Sequence, residues 1–439
     1  MLRRPTYYAI LLSGLAIVLA VLGSMVLLLL NIPYDFRNAW LTFGVSLLLI
    51  FLILVIARYV ILLWLGYLHN LESVMEEDYT DLYEPPVTII VPAYNEAAVI
   101  EGALQSLLAL DYPMYEILVV DDGSSDDTYA RAAAMEGRYG DVMLRVVSKT
   151  NNGKASALNT GISLARHPFV LCMDGDSRLS RDTLKASLRH FRNPNVGAVA
   201  GNVKVVNRRN LWTRLQALEY IEGLNMARRA QAFVRTVNII PGPIGIFRRD
   251  VLQQLGGYET DTFAEDADLT LKILTAGWQI KYEERAVAYT EAPESLLDLL
   301  KQRYRWTRGI LQALGKRKSW LFAPKGGAGV WISLNMMFFE AVIWPTMNVV
   351  GNLTFAIGAL MVGIPQYVLY WWMMLTVLDV AAALYTVAME EEDLSLVPYA
   401  VLYRVYFIIT VDVAKMFASL EELFKVRMTW GKLERAGRL

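Results

Sequence analysis

Long apolar segments near the N-terminus limit what this chain can fold into. Tyr8 to Ile32 and Ala39 to Tyr67 are almost uninterrupted apolar sequence, and about 20 such residues are enough to cross a bilayer. The first segment is longer than the apolar core of a signal peptide, and the second follows at once. Residues 1–70 are therefore predicted to form two membrane helices, and Arg3 and Arg4 favour a cytoplasmic N-terminus.

Apolar sequence returns in residues 326–420, ahead of a basic tail at 421–439. It forms three segments: Val330 to Val362, Tyr367 to Met389 and Leu396 to Leu420. Three crossings would leave the tail outside the cytoplasm, whereas its lysines and arginines favour the inside. Either the first segment is a hairpin or the last one does not cross. Arg404, Asp412 and Lys415 in the last segment are expected to face protein or a water-filled path, or to lie at the membrane interface.

Composition excludes several other classes of protein. Hydrophobic residues make up 55% of the 439 positions and charged residues 19%. That mixture is too apolar for a wholly soluble protein and too charged for one buried entirely in lipid. The net charge of −1 gives no electrostatic case for nucleic acid as a partner. A single cysteine, Cys172, and three scattered histidines exclude a disulfide framework and argue against a zinc site.

Residues 85–294 have the character of a soluble α/β domain. Short apolar runs alternate with helical segments, at Val87 to Val91, Tyr115 to Val120, Leu144 to Val147 and Phe169 to Met173. Strands that alternate with helices in this way predict a mostly parallel sheet with helices on both faces. The predicted fold class is therefore α/β, flanked by membrane helices at both ends.

Polar and acidic side chains follow most of the predicted strands. They are Asn95, Glu96, Asp122, Asp174 and Asp176. Parallel strands bring their carboxyl ends to one edge of the sheet, where open α/β sheets bind ligands. Asp174 and Asp176, separated by Gly175, offer hard oxygen ligands suited to Mg²⁺ or Mn²⁺ that bridges to phosphate. A solvated acidic turn is the alternative for these two carboxylates.

Two other positions suit a ligand that contains phosphate. Asp122 is suited to accept a hydrogen bond from a nucleobase or ribose, or else it belongs to a turn that leads into a helix. Lys154 lies near a helix N-terminus, where backbone N–H groups and the helix dipole favour phosphate, although solvation explains a lone lysine as well. The chain has neither a Gly-x-Gly-x-x-Gly after the first strand nor a P-loop motif. Both omissions argue against a dinucleotide enzyme and a P-loop NTPase.

Two segments near the end of the central region combine charge with a predicted helix. Asp266 opens one helix, where a carboxylate either stabilises the helix dipole or serves as a general base. Residues 295–325 form a second, amphipathic region that contains Arg303, Arg305 and Trp306. This region is predicted to lie on the membrane surface. Its arginines also suit a leaving diphosphate, and Trp306 offers a flat surface to a sugar ring.

Six motifs in a fixed order give the sequence a recognisable pattern. They are Pro92-Ala-Tyr-Asn-Glu96, Val120-Asp-Asp-Gly-Ser124, Gly153-Lys-Ala-Ser-Ala-Leu-Asn159, Asp174-Gly-Asp176, Glu265-Asp266 and Gln302-Arg-Tyr-Arg-Trp306. The set resembles the membrane-embedded family 2 glycosyltransferases, which include cellulose, chitin and hyaluronan synthases, and it is nearest to the bacterial poly-N-acetylglucosamine synthases. The resemblance covers residues 85 to 310 and implies a nucleotide-sugar-binding domain of the GT-A type.

The resemblance implies a donor site made of five residues. Ala93, Glu96 and Asp122 would hold the uridine of a UDP-sugar. Lys154 would approach the diphosphate of that donor, and Asp174 would approach its ribose.

The remaining matches imply the chemistry and the acceptor site. Asp176 would ligate the Mg²⁺ or Mn²⁺ ion, and Asp266 would deprotonate the acceptor hydroxyl. Four residues would bind the diphosphate and the end of the growing polysaccharide: Gln302, Arg303, Arg305 and Trp306. Members of the family invert configuration, so an α-linked donor would give a β-linked product in a single displacement.

The resemblance therefore predicts a processive, multi-pass transferase of the plasma membrane. Its catalytic domain would be cytoplasmic, its donor UDP-N-acetylglucosamine, and its polymer would be secreted; a small membrane accessory subunit is left open as a partner. One alternative is a non-processive enzyme that transfers one sugar to a lipid or short acceptor, which would tend to lack the motif ending in Trp306. Another is an inactive transport or scaffold subunit, which would be expected to have lost Asp176 or Asp266.

Two features depart from the pattern of the family. Ala264 stands where many members have threonine before the Glu-Asp pair, so a hydroxyl that would help to position Asp266 is missing. No equivalent of the gating loop of cellulose synthases follows Trp306, which favours a polymer other than cellulose. The helix predicted from Trp212 to Phe233 is expected to face either the acceptor or the membrane.

Overall fold

The computed structural model describes residues 39–76 and 83–426, together with six separate positions before residue 39. Apart from those six positions, the first predicted membrane segment, Tyr8 to Ile32, lies outside the described residues. Tail residues 427–439 lie outside them as well.

One mixed sheet organises the described chain. Its nine strands are β1 (Val87–Ala93), β2 (Tyr115–Asp121), β3 (Gly137–Tyr139), β4 (Val142–Ser148), β5 (Phe169–Cys172), β6 (Ser177–Leu179), β7 (Val196–Val205), β8 (Gly245–Arg248) and β9 (Gln279–Thr290). Their order across the sheet is β3-β4-β2-β1-β5-β8-β7-β9-β6. Four strand pairs are parallel, and they include the three longest registers, β1–β2, β2–β4 and β7–β9. The predicted α/β class with a mostly parallel sheet is confirmed.

Strands β1, β2 and β5 end at the same edge of this sheet. All three are continuous runs of buried residues, as expected of parallel strands that are covered on both faces. Ala93 at the end of β1 lies opposite Asp121 at the end of β2, and Cys172 at the end of β5 lies opposite Ile90. The segments that follow these strands therefore meet at one edge, and Asp174 is among them.

Sixteen α-helices surround or follow the sheet in the described residues. They are α1 (Ala39–Glu76), α2 (Ile100–Leu108), α3 (Thr128–Ala134), α4 (Lys154–Leu164), α5 (Thr183–Leu188), α6 (Leu211–Glu219), α7 (Met226–Phe233), α8 (Arg249–Gln254), α9 (Glu265–Thr275), α10 (Leu296–Lys316), α11 (Lys318–Leu321), α12 (Ala328–Phe338), α13 (Trp344–Val362), α14 (Gln366–Met389), α15 (Ala400–Leu402) and α16 (Ile409–Leu423). Three π-helical segments, Tyr220–Asn225, Phe339–Ile343 and Tyr403–Ile408, continue helices without a break, and 3₁₀ turns cover Arg189–Arg192 and Leu394–Tyr399.

Two apolar cores cover the two faces of the sheet. Ile89 of β1 packs in one core with Leu104 of α2, whereas its neighbour Ile90 packs in the other with Leu158 of α4 and Leu269 of α9. Successive side chains of a strand point to opposite faces, so a fully apolar strand serves both cores. Helices on both faces leave the strand ends as the open edge of the sheet.

Four helices among the described residues are long and apolar enough to cross a membrane, judged by length and composition. They are Thr42–Ser73, Ala328–Val362, Gln366–Met389 and Leu394–Leu423. Ala328–Val362 is one continuous helix, so the hairpin alternative for this segment is wrong. Its π-helical part ends just before Pro345, and this local widening accommodates the missing N–H and the bulk of the proline ring. The alternative that the last segment does not cross stays a prediction.

Ionisable side chains within these helices face protein. Arg404 pairs with Asp379, with 2.7 Å between Nη2 and Oδ1, and the Tyr59 hydroxyl donates to the same carboxylate over 2.6 Å. Asp412 accepts a hydrogen bond from Asn348 Nδ2 over 2.7 Å. Because a charge at membrane depth is costly unless it is paired, these contacts constrain how the helices pack against one another.

Gly44 lets α1 approach α13 closely. A Cβ on Gly44 would lie 2.7 Å from the backbone nitrogen of Phe355, which cannot move aside. Gly44→Ala should therefore lower the stability of the purified protein by about 1–3 kcal/mol, measured as a lower Tm in detergent. Gly66→Ala in the same helix is the control, because the nearest atom there is the sulfur of the flexible Met226 side chain at 2.6 Å. Equal losses in the two variants would contradict this account of the helix contact.

Candidate active site

A cavity of about 700 Å³ opens at the edge of the sheet where β5 ends. Its walls come from the turn after β5, the loop before α4, the loop Pro241-Gly-Pro243, the start of α9 and one face of α10. Polar and aromatic side chains thus converge from elements that are far apart in sequence. Such convergence in a concave space is typical of a ligand site.

Lys154, the first residue of α4, bridges two carboxylates in this cavity. Its Nζ lies 2.6 Å from Asp174 Oδ1 and 2.7 Å from Glu265 Oε1. Burial alone would lower the pKa of Lys154, but the two carboxylates raise that pKa above its ordinary value, so the ammonium group keeps its charge. The cation lies at a helix N-terminus, which itself favours anions. This part of the cavity is therefore suited to phosphate.

The Asp174-Gly175-Asp176 turn presents its two carboxylates differently. Asp174 lines the cavity and is partly exposed, whereas Asp176 lies beneath the cavity surface with only 3% of its area exposed. Gly175 is needed here because a Cβ at this position would lie 2.9 Å from the carbonyl oxygen of Pro92. The turn can therefore pack directly against the end of β1.

The two carboxylates are a donor set that Mg²⁺ or Mn²⁺ accepts. Such ions are commonly held by one or two carboxylates, with substrate phosphates and water as the other ligands. Asp174 offers its carboxylate to the cavity beside a lysine that suits phosphate. Within residues 39–76 and 83–426, no group of three or more His, Cys, Asp or Glu side chains could hold a metal ion by itself. Phosphate oxygens would therefore have to complete the site.

The three residues predicted to hold uridine lie outside the cavity wall. The carboxylate of Asp122 lies 2.6 Å from Lys149 Nζ and accepts a hydrogen bond from the backbone N–H of Gly153 over 2.7 Å. Asp122 therefore holds the loop that leads into α4. Neither Ala93 nor Glu96 lines the cavity. All three nevertheless adjoin the site: a Cβ on Gly175 would lie 3.7 Å from Glu96 and 3.8 Å from Ala93, and Asp122 bonds Gly153, which lines the cavity. Their contact with uridine stays a prediction.

Asp266, the second residue of α9, lines the cavity. One of its carboxylate oxygens accepts a hydrogen bond from the backbone N–H of Ala267 over 2.7 Å. Burial, and after it the negative charge of Glu265, raises the pKa of Asp266 to about 6. A carboxylate with this pKa is ionised at neutral pH and is a stronger base than an ordinary aspartate.

Helix α10 brings three of the four predicted acceptor residues to the cavity. Gln302, Arg305 and Trp306 line it together, because positions three and four apart share a helix face. The structure places Arg303 elsewhere. That side chain is buried, its Nε donates to Glu219 Oε1 over 3.1 Å, and its guanidinium lies 4.2 Å from the centre of the Trp306 ring. Its donors are occupied by Glu219, so Arg303 supports Trp306 from behind and does not line the cavity.

The matched family accounts for this collection of residues. The model of the family described as "Glycosyltransferase like family 2" matches residues 85–309, just over half of the chain. The chain belongs to glycosyltransferase family 2. The matched range includes Lys154, Asp174, Asp266 and Trp306, so the cavity lies within the glycosyltransferase domain.

Curated relatives are similar to about half of the glycosyltransferase. Poly-beta-1,6-N-acetyl-D-glucosamine synthase of Staphylococcus epidermidis is 33% identical over 224 residues, which are 51% of this chain and 54% of that protein. The synthase of the same name from Staphylococcus aureus (strain COL) is also 33% identical over 224 residues, with the same coverage. The chain thus spans about half the length of the curated relatives it matches.

Among solved structures, the glycosyltransferase resembles the mannosyltransferase PcManGT from Pyrobaculum calidifontis in complex with GDP-Man and Mn²⁺. The TM-score is 0.59, with 22% sequence identity over 84% of this chain and 99% of that one. At this level of identity the likeness concerns the fold. The predicted GT-A type of fold is confirmed, as is the prediction that the protein is an enzyme of the glycosyltransferase class.

The helix predicted from Trp212 to Phe233 contacts both the cavity and the membrane helices. It runs through α6, a π-helical segment and α7. Tyr220, Leu224 and Arg228 line the cavity of the glycosyltransferase from one side of this helix. Arg229 on another side pairs with Glu390, which follows α14, over 2.7 Å. The helix therefore lies between the cavity and the candidate membrane helices, and both alternatives for it stay predictions.

Two further residues line the cavity, and the sequence alone gives little indication of their place there. Glu265 precedes the predicted base and shares Lys154 with Asp174. Gly242 lies between two prolines, and a Cβ there would lie 2.9 Å from Lys154 Nζ and 3.2 Å from Asp174 Oδ2. The Pro-Gly-Pro sequence indicated a rigid turn, but only the fold shows that this turn covers the lysine.

Gly309 determines how closely α10 approaches the start of α9. A Cβ on Gly309 would overlap the methyl group of Ala264 and lie 2.5 Å from its backbone nitrogen. Gly309→Ala should push α10 away from Asp266 and lower kcat about 10- to 100-fold, measured as release of the nucleotide diphosphate. Gly315→Ala in the same helix has no atom within 4 Å of its Cβ position and should keep its activity. Wild-type kcat in Gly309→Ala would show that the spacing of these helices is unimportant.

Proposed function

We propose that the protein is a processive, inverting glycosyltransferase that polymerises sugar from UDP-N-acetylglucosamine into a β-linked polysaccharide and passes the polymer across the membrane. The observation that carries this proposal is one cavity that holds a carboxylate of raised pKa, a charged lysine and an arginine-tryptophan helix face. The names of the two staphylococcal relatives support the choice of donor.

The diphosphate of the donor is assigned to Lys154 and Arg305. Both line the cavity, and cationic donors form strong hydrogen bonds to phosphate oxygens. Asp174 would contact the ribose of the donor. Asp176 would hold Mg²⁺ or Mn²⁺, which when bound neutralises charge on the leaving diphosphate. The Mn²⁺ complex of PcManGT, which shares the fold, supports this assignment.

The proton transfer is assigned to Asp266. As its carboxylate takes the proton from an acceptor hydroxyl, the hydroxyl oxygen attacks the anomeric carbon of the donor sugar. The bond to the diphosphate breaks on the opposite side of that carbon, and UDP leaves. This single displacement inverts the configuration and needs no covalent intermediate. It parallels the two-sided geometry of inverting glycosidases, with a sugar hydroxyl in place of water.

The growing polysaccharide is assigned to the wall formed by α10 and the helix through α6 and α7. Trp306 and Tyr220 line this wall with ring centres 6.4 Å apart, and aromatic rings suit the apolar faces of sugars. Gln302 adds hydrogen-bonding capacity beside them. A processive enzyme must keep the product bound between transfers, and this wall offers the contacts to do so. The catalytic domain is proposed to face the cytoplasm.

Incubation of the purified protein in lipid with a panel of UDP-sugars tests the proposed function. UDP release should be fastest with UDP-N-acetylglucosamine, and the product should be a series of increasing length. Asp266→Asn should lower UDP release about 10²- to 10⁴-fold without weakening UDP binding, because the acceptor hydroxyl loses its base. Asp250→Asn changes an exposed carboxylate on α8 outside the cavity and serves as the control. Excess chelator should also stop the reaction.

Each part of the proposal has its own contrary result. Unchanged turnover in Asp266→Asn would refute the base assignment, and full activity in excess chelator would refute the metal assignment of Asp176. A product that gains only one sugar would favour the single-transfer alternative. Absence of turnover with every donor would favour a transport or scaffold subunit.

The pH dependence of turnover tests the environment of Asp266. Only the ionised carboxylate can take a proton, and its pKa is raised to about 6. We therefore expect kcat to fall below pH 6, by about tenfold for each further unit of pH. The measurement is kcat from pH 5 to 8 with saturating donor, alongside UDP binding over the same range. A profile that is flat down to pH 5 would indicate an ordinary aspartate pKa near about 3.9.

A further inference from the structure

Arg228 is a buried cation without an ionic partner. Only 7% of its surface is exposed, and no carboxylate in the described part of the chain pairs with it. Four other described arginines are buried, and each of them does pair: Arg229 with Glu390, Arg303 with Glu219, Arg308 with Glu422 and Arg404 with Asp379. A guanidinium keeps its proton in proteins, and a buried charge without a partner is costly. Asp266 and Glu390 attract Arg228 only from beyond ion-pair distance, so its charge is available to a ligand.

The hydrogen bonds of Arg228 fix the guanidinium but leave donors available. Its Nη1 donates to Asn225 Oδ1 over 3.0 Å, and its Nε donates to the carbonyl oxygen of Ile239 over 3.4 Å. Nη2 makes no hydrogen bond to any residue that the structure describes. Because the side chain lines the active-site cavity, Nη2 can donate hydrogen bonds to a bound sugar.

Apolar side chains line the same cavity as the guanidinium of Arg228. Leu224 lies one helical turn before Arg228 on the same face, and Val203 and Ile239 line the same cavity. Asn225 joins these elements, since its Nδ2 donates to the carbonyl oxygen of Val203 over 3.0 Å. A donor beside an apolar wall fits a group that combines one acceptor oxygen with a methyl group. Asp266 and Glu390 already supply negative charge near the guanidinium, and like charges so close disfavour a carboxylate as the ligand.

We propose that Arg228 is a specificity-determining residue that binds the acetamido group of an N-acetylated sugar. The guanidinium donates a hydrogen bond to the carbonyl oxygen of the acetamido group, and the methyl group of the acetamido packs against Leu224 and Val203. This inference rests on the proposed function and names the residue that selects the sugar. An acetamido group occurs both on the donor sugar and on the last sugar of the polymer, and the experiment separates these two sources.

Arg228→Gln removes the charge-assisted hydrogen bond to the acetamido oxygen. The kcat/KM for UDP-N-acetylglucosamine should fall about 10- to 100-fold, whereas the slower transfer from UDP-glucose, which lacks the acetamido group, should hardly change. The two sources are told apart by separate titrations. A higher KM for the donor locates the contact on the donor sugar, and a higher KM for a β-linked N-acetylglucosamine oligosaccharide primer locates it on the acceptor.

Stability measurements separate this role from a structural one. Arg228→Gln breaks no ion pair and affects only the hydrogen bonds to Asn225 and Ile239, so its Tm should fall less than that of Arg229→Gln. Arg229→Gln is the matched control on the same helix, because it breaks the buried pair with Glu390, and its Tm should fall. A loss of Tm in Arg228→Gln as large as in Arg229→Gln would assign Arg228 to the structure and overturn the proposal.

The donor comparison supplies the other decisive results. Equal losses with UDP-N-acetylglucosamine and UDP-glucose would overturn the acetamido contact and leave the proposed function standing. A wild-type preference for UDP-glucuronic acid that disappears in Arg228→Gln would identify a carboxylate as the ligand and overturn the acetamido assignment. A wild-type protein that transfers no N-acetylated sugar would overturn the proposed function and this inference together.

Discussion

The ammonium group of Lys154 bridges two carboxylates from different parts of the chain, and the rest of the catalytic edge depends on that bridge. Asp174, Glu265 and Asp266 surround one cavity, and without a cation among them their mutual repulsion would oppose this arrangement. Lys154 bonds the first two and opposes the rise in the pKa of the third. It thereby joins the end of β5 to the starts of α4 and α9. A diphosphate that enters the cavity competes for the same ammonium group, so donor binding must exchange one set of ionic contacts for another.

The positions of Lys154, Asp174 and Asp266 could be predicted from the sequence because each follows from local geometry. Buried strands end in polar turns at one sheet edge, and helix starts attract charged groups. Asp122 satisfies the same rule, yet its carboxylate is occupied by Lys149 and the loop before α4. A sequence can place a carboxylate at the edge of the sheet, but it does not show which hydrogen-bond donors contact that carboxylate in the fold.

On α10, the spacing of residues along the helix predicts which side chains line the cavity better than the motif alone does. Arg305 and Trp306 are three and four positions after Gln302, whereas Arg303 is one position after it and so about 100° around the helix. That rotation turns Arg303 towards Glu219, a partner 84 positions away in the sequence. Long-range pairs of this kind, including Arg404 with Asp379 between two candidate membrane helices, arise only from the packed fold. The unpaired state of Arg228 is equally invisible in a sequence.

The contact of Gly309 with Ala264 brings two helices together with no side chain between them except one methyl group. One helix carries Asp266, the proposed base, and the other carries Trp306, proposed to contact the sugar chain, so this contact sets the distance between them. Ala264 also lines the cavity. In a homologue with threonine at the position of Ala264, the same two walls would stand further apart or meet at another angle. The width of the cavity between α9 and α10 is thus set by the size of the two residues at their contact, and a change in the shape of the acceptor within the family can begin there.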